Sequence, residues 1–328
     1  MDFLLQSSLP LIIAIQSLPG LEGLMEFFSF LGREEFFLLI IPFVYWCVSP
    51  EFGTRLVLLL LASNSLNTLL KLGFHWPRPY WVDPQVHAFS AEPTYGFPSG
   101  HAQNAVTMWG GIAHTLRRGW AWGVGLMLML LISFSRLYLG VHFPIDLLGG
   151  WLAGAAVLVI YVRWEQPLTA RLRSLTLWAQ FGVVSGVTLL YLVVGGLILS
   201  ALAATPDPEL WARTAVLTSP TAEIAPRNPE NLVTNAGLIF GAGLALALIA
   251  HQPQARFNAG GDWRKRGARF IIGVIGLLLV WRGLAVVFPT EPVWLALSLR
   301  FVRYALAVGW MFYLGPGVFL KLRLAEPV

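Results

Sequence analysis

Apolar runs long enough to cross a bilayer recur along this chain, and they decide what it can fold into. A spanning helix needs about 20 apolar residues. Runs near that length lie at 34–49, 52–72, 99–116, 120–138, 144–164, 175–203, 232–250, 267–288 and 293–319. The expected fold is all-α, a polytopic transmembrane helical bundle of about nine spans. Composition agrees: 56% of residues are hydrophobic and 12% are charged. A soluble domain carries about twice that charge. The 14 Trp and 32 Gly also fit, since Trp collects at bilayer interfaces and Gly favours close helix packing.

The single cysteine, Cys47, lies in an apolar run and excludes a disulfide framework or a Cys-based metal site. The N-terminus has neither the basic n-region nor the small-residue cleavage site of a signal peptide. Residues 3 to 30 are apolar but broken by Pro10, Pro19 and Gly20, so residues 1–32 read as an interfacial segment, the alternative being a first spanning helix at 10–30.

The cations define sidedness. Arg55, Arg117, Arg118, Arg163, Arg171 and Arg173 fall in one set of loops. Arg256, Arg264, Lys265, Arg266, Arg269, Lys321 and Arg323 continue that set. That side is expected to be cytoplasmic, with the C-terminus. The alternate loops, 73–98, 139–143, 204–231 and 289–292, then face outward. On the net charge of +5, membrane orientation is the reading and nucleic acid is not. Residues 204–231 carry Pro206, Pro208, Pro220, Pro226 and Pro229 with Asp207, Glu209, Glu223 and Glu230. They read as an outward-facing loop, either a cap over a site or a linker.

Three clusters on the outward face carry the chemistry. The first runs from Lys71 to Trp76-Pro77-Arg78-Pro79, where two prolines force an extended turn that can fix the Arg78 guanidinium. Arg offers a planar fork of donors to phosphate oxygens, and Lys a compact charge. The second is Pro98-Ser99-Gly100-His101. Ser99 suits an N-cap, free N–H groups at a helix start attract anions, and Gly100 admits an oxyanion close to the backbone. His101 projects from the first turn as a candidate general acid.

The third cluster is Ser135-Arg136, then His142 and Asp146. Pro144 suits the first position of a helix, which places Asp146 in its first turn. A carboxylate there can fix the tautomer of His142 and leave the other ring nitrogen as a nucleophile. Taken singly, each cluster also reads as snorkelling cations, a capped helix, or a structural His–Asp pair. Taken together, three cations, two histidines and one acid on one face point to a lipid-borne phosphate.

At these residues the chain resembles the type 2 phosphatidic acid phosphatase, or lipid phosphate phosphatase, superfamily. That family's signature is Lys-x6-Arg-Pro, Pro-Ser-Gly-His and Ser-Arg-x5-His-x3-Asp, and all three parts stand here complete and in order. The resemblance covers roughly residues 34 to 165. It implies that His142 attacks phosphorus, Asp146 orients it and His101 protonates the leaving group. It also implies that Lys71, Arg78, Ser99, Gly100 and Arg136 bind the phosphoryl oxygens, with no metal and no cofactor. The family core usually has six spans, which sets a phosphatase core at 33–203 and a C-terminal transmembrane extension at 232–328. His75, His87, His114 and His251 match no signature position.

The expected protein is thus an integral membrane phosphohydrolase acting on a lipid phosphate or diphosphate. Candidate substrates are an isoprenyl diphosphate, phosphatidic acid, phosphatidylglycerol phosphate and a sphingoid base phosphate. The alternatives are a lipid-linked phosphotransferase using the same histidine, or a non-catalytic lipid-binding or lipid-flipping protein. The expected location is a bacterial inner membrane with the site facing the periplasm or exterior. Arg282 and Arg300 lie inside apolar runs and are candidate head-group contacts, or else snorkelling or internally paired charges. Oligomeric state is not readable.

Overall fold

The computed structural model describes residues 2–219 and 224–328. Its described residues are helical apart from turns, irregular loops and one isolated bridge between Phe257 and Pro327. Twelve longer helices follow in order, besides short helical turns at Pro79–Val82 and Pro253–Ala255. They are α1 Asp2–Gln16, α2 Glu22–Phe30, α3 Glu34–Cys47, α4 Pro50–Phe74, α5 at 100–116 and α6 Gly119–Tyr138. Then come α7 Pro144–Arg173, α8 Leu177–Leu202, α9 Glu209–Thr218, α10 Glu230–His251, α11 Trp263–Val287 and α12 Val293–Lys321. Single π turns interrupt α5, α11 and α12 at Ala105–Trp109, Leu279–Gly283 and Trp310–Leu314.

Seven helices, α4, α6, α7, α8, α10, α11 and α12, are long and apolar enough to cross a membrane. The other two expected spans are helices of lesser length: α3 has 14 residues, and α5 stops where Arg117 turns left-handed at φ 52°. The chain is an integral membrane protein.

Helix ends follow local chemistry. The Ser49 hydroxyl accepts from Phe52 N at 3.2 Å and opens α4. Lys71 sits in the last turn of α4, where a cation suits the helix dipole. The Ser99 hydroxyl accepts from Ala102 N and opens α5. Pro144 starts α7 and Asp146 lies in its first turn, as the spacing predicts. Asp262 caps α11 through Lys265 N at 2.8 Å.

One stretch departs from expectation. Residues 204–231 contain a helix, α9, started by Pro208 with Glu209 in its first turn. Trp211 on α9 lies 5.8 Å from Trp81, and Ala225 N donates to the Pro93 carbonyl. The stretch is therefore folded onto the 79–95 region, which its proline content had obscured. Pro220 and Glu223 lie outside the described residues.

The chain divides into two compact units. The first is Met1–Phe37, Ala62–Ile160 and Gly195–Asn228; the second is Leu38–Leu61, Tyr161–Val194 and Pro229–Val328. In the first, Tyr80, Trp81, Val86, Tyr95, Tyr138, Leu139, Val141 and Phe143 form a buried cluster. Leu5, Leu9 and Ile12 of α1 belong to it. In the second, Trp46 donates to the Met311 carbonyl at 2.9 Å and Tyr45 to that of Phe312 at 3.1 Å.

Candidate active site

Four helix ends converge in the first unit: the C-termini of α4 and α6 and the N-termini of α5 and α7. Two contacts set their register. Ser99 N donates to the Asp146 carbonyl at 2.9 Å. Gly150 on α7 lies under the start of α5; a Cβ there would stand 2.6 Å from the Ser99 carbonyl oxygen. A larger residue would push these two helix starts apart.

Arg78 is fully buried between its two prolines. Its guanidinium donates to the carbonyls of Thr94 (2.6 Å), Val141 (2.9 Å) and Tyr95 (3.2 Å), and to the Thr94 hydroxyl at 3.1 Å. The expected rigid presentation is realised, and through more partners than the prolines alone indicate. Lys71 Nζ donates to the same Tyr95 carbonyl.

His142 is fully buried in the turn between α6 and α7. Its Nδ1 lies 3.1 Å from Asp146 Oδ2, which also accepts from Phe143 N at 2.9 Å. Its Nε2 lies 3.3 Å from a terminal nitrogen of Arg78. A guanidinium only donates, so this Nε2 presents its lone pair and the ring proton sits on Nδ1, toward Asp146. Burial, then the charges of Arg78 and Lys71, hold His142 well below the usual histidine range. The imidazole is neutral at pH 7 and its Nε2 is nucleophilic.

Glu92 was not anticipated, and it ties the cations together. Its carboxylate pairs with Arg78 at 2.7 Å and with Arg136, and its Oε1 lies 3.9 Å from His101 Nδ1. Burial would raise this carboxyl, but Arg78 and Arg136 outweigh it and hold Glu92 well below the usual carboxylate range. The sequence does carry one signal: Glu92 is the only carboxylate between Asp83 and Asp146. Buried cations need a counter-charge, and no other acid lies nearby in the chain.

Arg136 is fully buried and donates to the Ser29 hydroxyl at 2.5 Å as well as to Glu92. Three polar atoms here are buried without a protein partner: Arg136 Nε, His101 Nε2 and Asp146 Oδ1. Asn67, also unanticipated, donates to the Pro98 carbonyl (3.2 Å) and to Gln103 Oε1 (2.8 Å) and so braces the α5 start. A Cβ on Gly100 would stand 3.1 Å from Asn67 Oδ1.

The structure thus brings together Lys71, Arg78, Ser99, Gly100, His101, Arg136, His142 and Asp146. Arg282 and Arg300 belong to the second unit. Arg300 pairs with Glu230 at 2.6 Å and donates to the Thr234 hydroxyl at 2.8 Å. The Arg282 guanidinium lies 4.4 Å from the Trp281 ring centroid. These partners favour internal pairing over head-group contact. His75, His87, His114 and His251 are exposed. Among the described residues no three His, Cys, Asp or Glu side chains converge as a metal-ligand set.

Spanning helices and a cation-lined His–Asp pair at their ends define a membrane protein with a phosphatase-type site. The chain belongs to the PAP2 superfamily. The PAP2 superfamily model matches residues 52–170, and the model for the PAP2 superfamily phosphatase transmembrane extension matches residues 233–327. An undecaprenyl-diphosphatase of Sulfolobus acidocaldarius is 31% identical over 47% of this chain and 75% of its own length. Human sphingosine-1-phosphate phosphatase 2 is 32% identical over 43% of this chain and 37% of its own. Phosphatidylglycerophosphatase B of Bacillus subtilis is 27% identical over 46% and 78%. The chain therefore spans well over half of the archaeal and bacillar relatives and less than half of the human one.

Proposed function

We propose that this protein is a membrane phosphohydrolase that removes phosphate from a lipid phosphate or lipid diphosphate through a phosphohistidine. One observation carries the reading: the Asp146–His142–Arg78 geometry leaves a neutral, buried imidazole with its Nε2 lone pair among the cations.

The Nε2 attacks phosphorus and forms an N–P bond. The P–O bond to the leaving group breaks, and its electron pair goes to the leaving oxygen, which His101 protonates. Asp146 stabilises the charge that develops on the His142 ring. Lys71, Arg78 and Arg136, with the Ser99 hydroxyl and the Gly100 N–H, bind the phosphoryl oxygens and stabilise five-coordinate phosphorus. A water then attacks the phosphohistidine and gives its proton to the now neutral His101. The N–P bond breaks, its pair returns to Nε2, and phosphate leaves.

Every phosphoryl oxygen in this scheme is met by a side chain or backbone donor, so no metal is called on. The Lys/Arg-rich loops support a cytoplasmic C-terminus and a site facing the periplasm or exterior. The names of the relatives support the substrate class, a lipid phosphate or diphosphate.

The test is phosphate release in detergent with EDTA present, wild type beside His142→Ala, over a panel of lipid phosphates and diphosphates. Turnover by wild type with loss in the variant is expected. Equal activity in both would refute the scheme, and loss of wild-type turnover in EDTA would refute its metal independence.

A further inference from the structure

We propose that Arg33 holds a second phosphoryl group, on the lipid side of the one attacked, and so selects lipid diphosphates. The proposal rests on the phosphohydrolase reading above and names its substrate class.

Arg33 lies in the turn that closes α2, with its backbone N–H donating to the Phe30 carbonyl at 3.0 Å. This turn presses against the proposed acid: a Cβ on Gly32 would stand 3.3 Å from His101 Cδ2. The half-buried Arg33 side chain donates to the Ser90 hydroxyl at 3.1 Å. Ser90 is two residues from Glu92, whose carboxylate sits on Arg78 and Arg136. Arg33 is also close enough to His101 and Arg136 to act on both electrostatically.

Its partners set it apart from the two buried arginines. Arg78 already donates to Thr94, Tyr95, Val141 and Glu92, and Arg136 to Ser29 and Glu92, with its Nε left for the attacked phosphoryl group. Among the described residues, Arg33 makes one side-chain hydrogen bond and no ion pair. A guanidinium has five N–H donors in a fork that matches a phosphate.

The chemistry then distinguishes substrates. In-line attack by His142 puts the leaving oxygen on the side of the phosphorus where His101 gives its proton. For a monoester that oxygen leaves as an alcohol, which has no use for a nearby cation. For a diphosphate, attack on the terminal phosphorus breaks the bridging P–O bond. The electron pair then goes to the oxygen of a lipid monophosphate, where negative charge develops beside His101 until that residue protonates it. A guanidinium there binds the inner phosphate before reaction and stabilises it as a leaving group. The His101 side carries such a group in Arg33, with the Ser90 hydroxyl next to it.

The experiment compares farnesyl diphosphate with farnesyl monophosphate in detergent micelles. It uses wild type, Arg33→Gln and Arg33→Lys, with thermal midpoints measured alongside. The readout is the ratio of kcat/KM for the two substrates, which cancels general damage to the fold. Arg33→Gln is expected to lower the diphosphate preference by on the order of tenfold or more. Arg33→Lys, which keeps the charge, is expected to retain most of the preference. An unchanged ratio in Arg33→Gln, whether both activities fall or neither does, would overturn the proposal. If wild type and His142→Ala both fail on both substrates, the phosphohydrolase reading falls first and takes this inference with it.

Discussion

The Glu92 carboxylate lies 2.7 Å from the guanidinium of Arg78, a residue assigned here to the phosphoryl group. It also bonds Arg136, so one side chain of the protein already meets two of the proposed phosphate ligands. An acid placed so close to a phosphate site has two opposed effects. It compensates buried cations that would otherwise be costly, and it competes with an anionic substrate for their donors.

Glu92→Gln separates these effects. Breaking one partner out of a buried pair costs about 3–5 kcal/mol, less where the replacement still hydrogen-bonds. The variant is expected to have a lower thermal midpoint without ligand. Orthovanadate, an oxyanion of phosphate shape, is expected to restore more stability to the variant than it adds to wild type. Equal stabilisation of both by vanadate would show that Glu92 and the anion do not share donors.

Asp146→Asn leaves the imbalance of charge small but removes the carboxylate that holds the His142 tautomer. An amide can donate to Nδ1 and so draw the proton to Nε2, which blocks the nucleophile. The expected loss in kcat is on the order of a hundred- to ten-thousand-fold, with the protein still folded. Steady-state kinetics with a circular dichroism melt checks this, and a loss under tenfold would contradict the assigned tautomer.

The pH dependence follows from His142. Its folded pKa is depressed, chiefly by burial and then by Arg78 and Lys71. Below the unfolded value of about 6.5 the unfolded chain takes up a proton that the folded chain refuses. Stability is therefore present in full above that pH and is lost as pH falls from there toward the folded pKa. The nucleophile itself stays neutral through that range. Formation of the phosphoenzyme is expected to show no acid limb near pH 6.5 in rapid-quench measurements. A midpoint there would mean that His142 titrates like an exposed histidine.

Tyr95 links the loop at 204–231 to the site. Its carbonyl receives Lys71 and Arg78, while its hydroxyl donates to Asp207 at 2.9 Å and receives Arg227 at 3.0 Å. Burial pushes its phenol up to about 12, so it remains a donor at any working pH. Tyr95→Phe is expected to raise KM several-fold with a smaller change in kcat, at a stability cost of about 1–3 kcal/mol. A change in kcat alone would place Tyr95 in the chemical step.

Local patterns made the frame legible. Pro144 and Asp146 gave the start of α7, and Ser99 capped α5 where the sequence placed it. What escaped was carried by long-range pairing. Tyr95 meets Asp207 across 112 residues and Arg136 meets Ser29 across 107, distances at which no periodicity reports contact. Glu92 sits in an irregular loop, and its role follows only from the charges the fold packs around it. The helix α9 was hidden because Pro208 reads as a breaker, although a proline just outside a helix is a common start.

The central claim is that phosphorus becomes bonded to His142 during turnover. The most direct measurement is to quench the enzyme under base with a substrate whose terminal phosphate is radiolabelled, then map the label by mass spectrometry. An acid-labile, base-stable label on the peptide that holds His142, absent in His142→Ala, is the predicted result. Turnover of wild type with label on another residue, or with no covalent label under rapid quench, would contradict it.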